Sequence, residues 1–450
     1  MIRASAVRAA RAHRATQLAA IGLAICALFA ATQFPKPLSA SYGADLMLLA
    51  LLLAGRAPWR ELAAHPFARL LLLFAAYGIA QAALATQRVP DIGFALQLSA
   101  VAAPVKLGAF ACVIGWWLAE HPRWTWPALA LLLAGMAVWT LSETPWNDLG
   151  ALADGSLRLR LGYAENLVGM LAAIAVLGLA LQTQRRRRPA SAIARVGVTT
   201  TLTLGLALFA TVLLFAQSRG AWLALALALP LASIGLQRAS AESARDGDRR
   251  LHAAAGLLAL LPVVWFLSQP LISARLHGGW ALAQALLHDD RAVLETSSVG
   301  LRLDLYALGI KAWLQAPLFG WGLRSIGPMI AATGLHWGGY VPPHLHNAYL
   351  QIAVGLGAVG LALLAAMSGV LLRDLWRARR MPQLDPCLCW TLLGSLAIVL
   401  IVNAFDFLLW SNGYMRTPLM ILLGAALGVS LRMRRLAASG ATAAAAATGG

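Results

Sequence analysis

Residues 196–237 read VGVTTTLTLGLALFATVLLFAQSRGAWLALALALPLASIGLQ and are mostly apolar. Their only charged residue is Arg219. A membrane-spanning helix needs about 20 apolar residues in succession, so the stretch is long enough for two such helices. Gln217-Ser218-Arg219-Gly220 lies between them. The stretch therefore predicts two adjacent spans with a very tight connection, which holds one arginine near the membrane surface.

The composition of the whole chain agrees with a membrane protein. Of its 450 residues, 60% are hydrophobic and only 12% are charged, whereas soluble domains carry about 25% charged residues. High hydrophobicity excludes disorder, and long apolar blocks disfavour a β-barrel, whose strands alternate. The net charge of +18 does not indicate nucleic-acid binding, because a basic groove needs a soluble surface. Arginine-rich loops on the inner side of a membrane explain the charge more simply.

Apolar blocks recur along the chain and predict an all-α polytopic membrane protein with about 12 transmembrane helices. We divide the chain into helices 1–9 within residues 1–269, a loop domain at 270–346, helices 10–12 within 347–436, and a disordered tail at 437–450. Loops as long as 270–346 are usually functional, and this one contains helical patterns near 279–293 and 299–316. The predicted spans are 17–34, 38–55, 67–86, 95–119, 125–142, 165–183, 195–217, 221–237, 251–269, 347–372, 386–408 and 416–431.

The distribution of basic residues predicts the orientation. If the N-terminus is cytoplasmic and the spans alternate, the inner segments hold 24 of the 36 Lys and Arg residues, and the short outer loops hold six. Such a bias favours both termini in the cytoplasm and the long loop on the outer side. The outer minority includes Arg158, Arg160 and Arg219, while Lys106 falls inside the outer half of the fourth span.

Several polar motifs share the outer side of this topology. Two arginines suit phosphate oxygens, because the guanidinium group is planar and always charged. Histidine has a reference pKa of about 6.5, which suits a general base near neutral pH. Each residue also has an ordinary interpretation, as an interfacial anchor, an ion pair with Asp304, or a polar loop group. The motifs are Gln217-Ser218-Arg219-Gly220-Ala221-Trp222, Gly300-Leu301-Arg302-Leu303-Asp304-Leu305-Tyr306, Pro317-Leu318-Phe319-Gly320-Trp321-Gly322 and His344-Leu345-His346-Asn347-Ala348-Tyr349-Leu350-Gln351.

In their order, these motifs resemble the O-antigen ligase family, within a superfamily that also contains O-antigen polymerases and protein O-oligosaccharyltransferases. The resemblance covers residues 160–365 and the twelve-span layout. It implies a GT-C-like, metal-independent glycosyltransferase without cofactors, in the bacterial inner membrane, whose active site faces the periplasm. The implied donor is an undecaprenyl-diphosphate-linked glycan, and the implied acceptor is a sugar of lipid A–core in lipopolysaccharide assembly.

Carried over to this sequence, the resemblance implies that His346 is the catalytic histidine and that Arg219 and Arg302 bind and stabilise the diphosphate. The family's Asn–Gly pair matches Asn166 and Gly169 only loosely, so these two residues receive no catalytic role. A charge inside a membrane is often functional, although Lys106 equally fits a residue that reaches toward the interface. The predicted substrate-binding residues are Lys106, Arg158, Arg160, His344, Asn347 and Tyr349.

Other functions stay open at this stage. A polymerase uses a second carrier-linked glycan as its acceptor, and a protein glycosyltransferase uses Ser or Thr. A transporter of lipid-linked sugars is expected to place ionisable groups near the bilayer midplane, where this chain has almost none. His344 and His346 with His288, Asp289 and Asp290 offer metal ligands at a nonspecific spacing, so no metal is predicted.

Overall fold

The computed structural model describes residues 57–185, 191–241, 284, 287–288, 297–336, 339–409 and 416–448. These residues form an all-helical protein. The α-helices are α1 (Ala57–Ala64), α2 (Pro66–Arg88), α3 (Phe94–Glu120), α4 (Thr125–Glu143), α5 (Leu149–Asp154), α6 (Glu165–Thr183), α7 (Ala192–Ala216), α8 (Arg219–Ala241), α9 (Ser298–Gln315), α10 (Ile326–Ala332), α11 (Ala348–Ala378), α12 (Pro386–Val402) and α13 (Arg416–Thr448).

Seven of the described helices are long and apolar enough to cross a membrane, by length and composition: α2, α3, α4, α6, α7, α8 and α11. The apolar helix α12 has 17 residues. These eight helices and α13 coincide with nine of the predicted spans. The predicted spans 17–34, 38–55 and 251–269 lie outside the described residues. The all-α class is thus confirmed, and the count of twelve spans stays a prediction.

The structure differs from the sequence prediction near the C-terminus in two places. The tail at 437–450 was expected to be disordered, but α13 continues to Thr448, because alanine has the highest helix propensity and dominates this segment. The predicted span 386–408 is also too long. Its helix ends at Val402, because Asn403 turns the chain: its side-chain Oδ1 accepts a hydrogen bond from the Leu408 N–H at 2.9 Å. Residues 403–409 consequently form a loop.

The helix connections gather at two ends of the bundle. At one end, which we call the site end, the Arg158 Nη2 donates to the Ala216 carbonyl at 3.2 Å, and the Ala348 N–H donates to the Asn403 carbonyl at 2.8 Å. At the opposite end, Arg435 pairs with Glu120 at 2.7 Å. Because α11 has 31 residues, the two ends lie about 45 Å apart along it.

A small apolar core fastens the 297–347 segment to α11 at the site end. Because this core includes Val354 of α11, the segment does not hang free from the bundle. Its buried members are Leu301, Leu305, Ile326, Ile330, Leu345 and Val354.

The helix α11 is broken at Gly357, whose φ of 66° and ψ of −174° are not helical. Residues 317–322 replace the backbone hydrogen bonds that this break removes. The Trp321 N–H donates to the Val354 carbonyl at 2.8 Å, and the Ala358 N–H donates to the Pro317 carbonyl at 2.8 Å. Gly320 is required at this contact, because its φ is 70° and a Cβ there would lie 2.6 Å from the Gly355 backbone. The Phe319-Gly320-Trp321-Gly322 motif is therefore a docking segment for α11.

Candidate active site

His346 lies just before α11 and pairs with an aspartate that follows α12. Its Nδ1 is 3.1 Å from Asp406 Oδ1. Since an ionised carboxylate only accepts hydrogen bonds, Nδ1 carries the hydrogen and Nε2 is the basic nitrogen. The His346 side chain is 24% exposed, whereas that of Asp406 is 5% exposed. The pair thus presents a partly open imidazole that is oriented by a buried carboxylate.

Asp406 remains ionised although it is buried. Burial alone would raise its pKa, but the hydrogen bond and charge of His346 and the hydrogen bond from Asn166 hold the pKa well below its usual range. The Phe407 N–H also donates to Asp406 Oδ1, at 2.7 Å. The carboxylate is therefore fixed from several directions and cannot rotate without losing bonds.

A chain of hydrogen bonds leads from Asp406 to the connection that carries Arg219. Asn166 Nδ2, in the first turn of α6, donates to Asp406 Oδ2 at 2.7 Å. The Ser218 hydroxyl donates to Asn166 Oδ1 at 2.9 Å. Arg219, the next residue, begins α8 and is exposed. Arg219 therefore directly follows Ser218, which is hydrogen-bonded into the His346 network.

Arg302 approaches the same region from α9. Tyr306, one helical turn after Arg302, donates its hydroxyl hydrogen to the His346 carbonyl at 3.1 Å. Residues four apart share a helix face, so Arg302 lies on the face of α9 that meets the site. The charge of Arg302 is also one of the influences that lower the pKa of His344.

The backbone at the site is strained at defined points. The described non-glycine residues with positive φ are Leu161, Gln217 and His346, with φ of 49°, 51° and 51°. All three lie at the site end. Gln217 directly precedes Ser218, and His346 is the histidine that pairs with Asp406. Left-handed backbone costs an ordinary residue free energy and tends to cluster at functional sites.

His344 packs against His346 and stays neutral. The two rings lie 4.3 Å apart between centroids, and the His346 N–H donates to His344 Nδ1 at 3.3 Å. Burial, followed by the charges of His346 and Arg302, lowers the pKa of His344 to about 4, against the opposing charge of Asp406. The ligand atoms of His344, His346 and Asp406 lie within 4.8 Å of one another, close enough to hold a metal ion. The alternative set with Asp289 and Asp290 lies outside the described residues.

Arg158 and Arg160 lie beside the site on the segment before α6. Arg158 donates to the carbonyls of Ala216 and Gln217 at 3.2 and 3.4 Å and pairs with Glu165 at 3.1 Å. Arg160 also pairs with Glu165, and its side chain is 70% exposed. Arg158 consequently supports the connection that carries Arg219, and its predicted role in substrate binding stays a prediction, as does that of Arg160.

Asn347 and Tyr349 make contacts that organise the start of α11. The Asn347 side chain accepts the Leu350 N–H at 3.0 Å and so caps the helix. The Tyr349 hydroxyl donates to the Leu400 carbonyl of α12 at 2.7 Å. These contacts position the start of α11, and a role for Asn347 and Tyr349 in substrate binding stays a prediction.

Lys106 is not joined to His346 by any contact within the described ranges. It is exposed on α3. The site end of this helix is marked by Gln97, whose Nε2 donates to the Ser325 hydroxyl at 2.9 Å. Lys106 lies nine residues further along, about 14 Å deeper in the bundle. A role for it in substrate binding stays a prediction.

The structure adds Asp406, Asn166, Ser218 and Tyr306 to the residues that the sequence indicated. A signal for Asp406 was available, because it is the only acidic residue in the apolar block 386–408, and a charge in such a block is a functional candidate. Asn166 matches the family pattern only loosely, and its contact with Asp406 joins two residues that are 240 positions apart in sequence.

The apolar helices and the polar network at one end define a multi-pass helical membrane protein with a candidate active site at a helix-bundle end. Residues 204–365 match the family model described as O-antigen ligase, and this match supports membership of that family. The matched segment contains Arg219, Arg302 and His346, whereas Asn166 and Asp406 lie outside it. No curated protein matches the chain. The family places the chain among glycosyltransferases of the O-antigen ligase and polymerase type, whose substrates are lipid-linked glycans.

Proposed function

We propose that this protein is an O-antigen ligase, which transfers a glycan from undecaprenyl diphosphate to a sugar hydroxyl of lipid A–core at the periplasmic face of a bacterial inner membrane. The observation that carries the proposal is the His346–Asp406 pair at 3.1 Å, because it supplies an oriented base where a hydroxyl must lose its proton. The family match supports the glycan and its lipid carrier as the substrate class.

In the proposed reaction, His346 Nε2 accepts the proton of the acceptor hydroxyl while the hydroxyl oxygen attacks the anomeric carbon. The bond from that carbon to the diphosphate oxygen breaks, and undecaprenyl diphosphate leaves with the electron pair. Asp406 stabilises the imidazolium that forms, in the manner of an aspartate that orients a catalytic histidine. The base contributes roughly 10²- to 10⁴-fold to the rate.

Arg219 and Arg302 act on the leaving group in this proposal. The diphosphate gains negative charge as the bond breaks. Preorganised cations therefore stabilise the transition state more than the ground state. The two arginines come from different elements, α8 and α9. Removal of either one is expected to lower the rate by roughly 10²-fold or more.

The test offers purified full-length protein the undecaprenyl-linked glycan with one of three acceptors: lipid A–core, a second carrier-linked glycan, or a folded protein. Modification of lipid A–core supports the ligase. Modification of the second glycan or of the protein instead identifies a polymerase or a protein glycosyltransferase and overturns the proposed acceptor. Movement of the carrier across the bilayer without modification of any acceptor identifies a transporter.

The catalytic assignment is tested by His346→Ala, which should abolish transfer while the carrier still binds. A matched control is His336→Ala, because His336 is exposed in the same 297–347 segment and should be dispensable. Full activity of the His346 variant in the purified assay contradicts the assignment of the base.

A further inference from the structure

A large groove opens between α8, α11 and α12 at the opposite end of the bundle from His346. Its volume is about 1270 Å³. The described residues that line it include three arginines, Arg238, Arg379 and Arg380, and no carboxylate. Within the described chain no ion pair neutralises these three side chains. The rim of the groove is therefore positive and suited to an anion.

The central arginine of this rim is held by aromatic rings. The Arg379 guanidinium carbon lies 3.7 Å from the centroid of the Trp376 ring and 5.2 Å from that of Trp390. Ring contacts fix the plane of a guanidinium group but leave its hydrogen-bonding edge for a phosphate or carboxylate. Arg379 is consequently oriented before any anion arrives.

Two donors in the same residues have no acceptor among the described residues. Arg379 Nε and Trp390 Nε1 are buried and have no hydrogen-bond partner in that part of the chain. Trp390 as a whole is only 9% exposed, and both residues line the groove. Neither donor is therefore used by the part of the fold that the structure describes.

The wall below the rim is apolar and faces outward. On α8, Leu227, Leu231 and Ile234 are 49%, 67% and 48% exposed. Their spacing of four and three residues places them on one helix face. Leu231 and Ile234 line the groove itself, opposite Leu393 of α12. A continuous apolar strip thus leads from the arginines toward the middle of the bundle, which a free phosphate would not use.

We propose that this groove binds an anionic phospholipid, with the phosphate against Arg379 and Arg380 and the acyl chains along the exposed strip of α8. Basic pockets between membrane helices, with tryptophan at the interface, suit anionic headgroups. The proposal does not depend on the transfer reaction, since the groove lies at the other end of α11 from Asn347.

Native mass spectrometry of the full-length protein tests the proposal with phosphatidylglycerol and phosphatidylcholine that carry the same acyl chains. The wild type should retain phosphatidylglycerol preferentially. The double variant Arg379→Ala/Arg380→Ala should bind it roughly 10- to 30-fold more weakly, as expected for two interfacial arginines. The control is Arg377→Ala, which removes one positive charge from an exposed residue outside the groove and should leave binding unchanged.

Three outcomes overturn the proposal. Equal retention of the two lipids shows that charge does not select the lipid. Equal losses of phosphatidylglycerol binding in the control and in the double variant show that the groove is not the binding site. Displacement of phosphatidylglycerol by inorganic phosphate at the same concentration shows an anion site without a lipid. Arg379→Lys, which keeps the charge, guards against misfolding and should retain part of the lipid preference.

The occupant is identified by a Leu231→Cys variant with a photoreactive thiol label. The label should capture phospholipid in a membrane. Capture of another segment of this same chain instead shows that protein fills the groove and overturns the proposal.

Discussion

Two buried aspartates, one at each end of the bundle, make opposite use of a neighbouring histidine. At the site end, Asp406 receives His346 and Asn166, and His346 has one ring nitrogen engaged with the carboxylate. At the opposite end, Asp374 is fully buried and receives the Ser430 hydroxyl at 2.6 Å and Arg434 Nη2 at 2.7 Å.

The histidine at the opposite end has no basic nitrogen to offer. His65 Nε2 lies 2.9 Å from the Ser430 hydroxyl, and its Nδ1 accepts the Phe67 N–H at 3.2 Å. His65 is 2% exposed, whereas the His346 side chain is 24% exposed. Burial and ion pairing therefore do not distinguish a catalytic site from a structural network. The distinguishing feature is a histidine nitrogen that is oriented by its partner but still open to solvent.

The largest expected effect comes from Asp406→Asn. An amide cannot stabilise the imidazolium, so transfer should fall roughly 10²- to 10⁴-fold per folded molecule. The thermal unfolding midpoint should change little, since the amide keeps the shape of the carboxylate. Initial rates with the purified components measure the first quantity, and tryptophan fluorescence measures the second. A rate close to that of the wild type would show that His346 needs no carboxylate.

The corresponding change at the opposite end, Asp374→Ala, should act on stability instead. It leaves Arg434 and Ser430 without their acceptor. The cost is about 2–3 kcal/mol of unfolding free energy, because Arg373 and Arg434, the two arginine partners of Asp374, are partly exposed. Denaturant titration in detergent measures this loss, and transfer per folded molecule should be retained. Asp304→Asn, on an exposed position of α9, is the control that should leave both quantities unchanged. Loss of transfer in the folded Asp374 variant would show that the network at the opposite end also contributes to catalysis.

A smaller effect is expected from Asn166→Ala. It removes one hydrogen bond to the Asp406 carboxylate and leaves the His346 contact in place. A hydrogen bond to a charged group contributes about 1.5–3 kcal/mol, so transfer should fall roughly 10- to 100-fold. Ser218→Ala, one step further from Asp406, should have a weaker effect. The reverse order of the two variants would show that the network does not act through Asp406.

The smallest effect is a dependence on pH that both ends share. Burial is the main cause that lowers the pKa of His344 and of His65 to about 4, from an ordinary value of 6.5. The unfolded chain therefore takes up protons first, and the stability of the fold should decrease as the pH falls from about 6.5 to 4. Unfolding midpoints of the wild type, His344→Asn and His65→Asn across this range measure it. Each variant should show a flatter profile, and an unchanged slope in both would exclude these histidines as the cause.

The sequence predicted the parts of this molecule that depend on local composition. Nine predicted spans coincide with described helices, because long apolar runs carry their own signal. The motif residues Arg219, Arg302 and His346 lie at one end of the bundle. The partner of His346 was not predicted, because the contact with Asp406 joins residues 60 positions apart across two helices. The apolar composition of 386–408 also predicts helix where the loop that holds Asp406 lies, because it does not show that Asn403 ends α12 through a side-chain hydrogen bond.

The break in α11 has a consequence for how the chain enters a membrane. The carbonyls of Val354 and Gly355 receive their hydrogen bonds from Trp321 and Gly322, and Gly355 also receives the Gln81 side chain at 2.9 Å. In lipid, a helix that lacks part of its own backbone bonding is costly. Because residues 317–322 are synthesised before α11, the missing donors are already made when this helix reaches the bilayer. Residues 317–322 and α11 should therefore insert as one unit, in which the segment before α11 completes the hydrogen bonding of that helix.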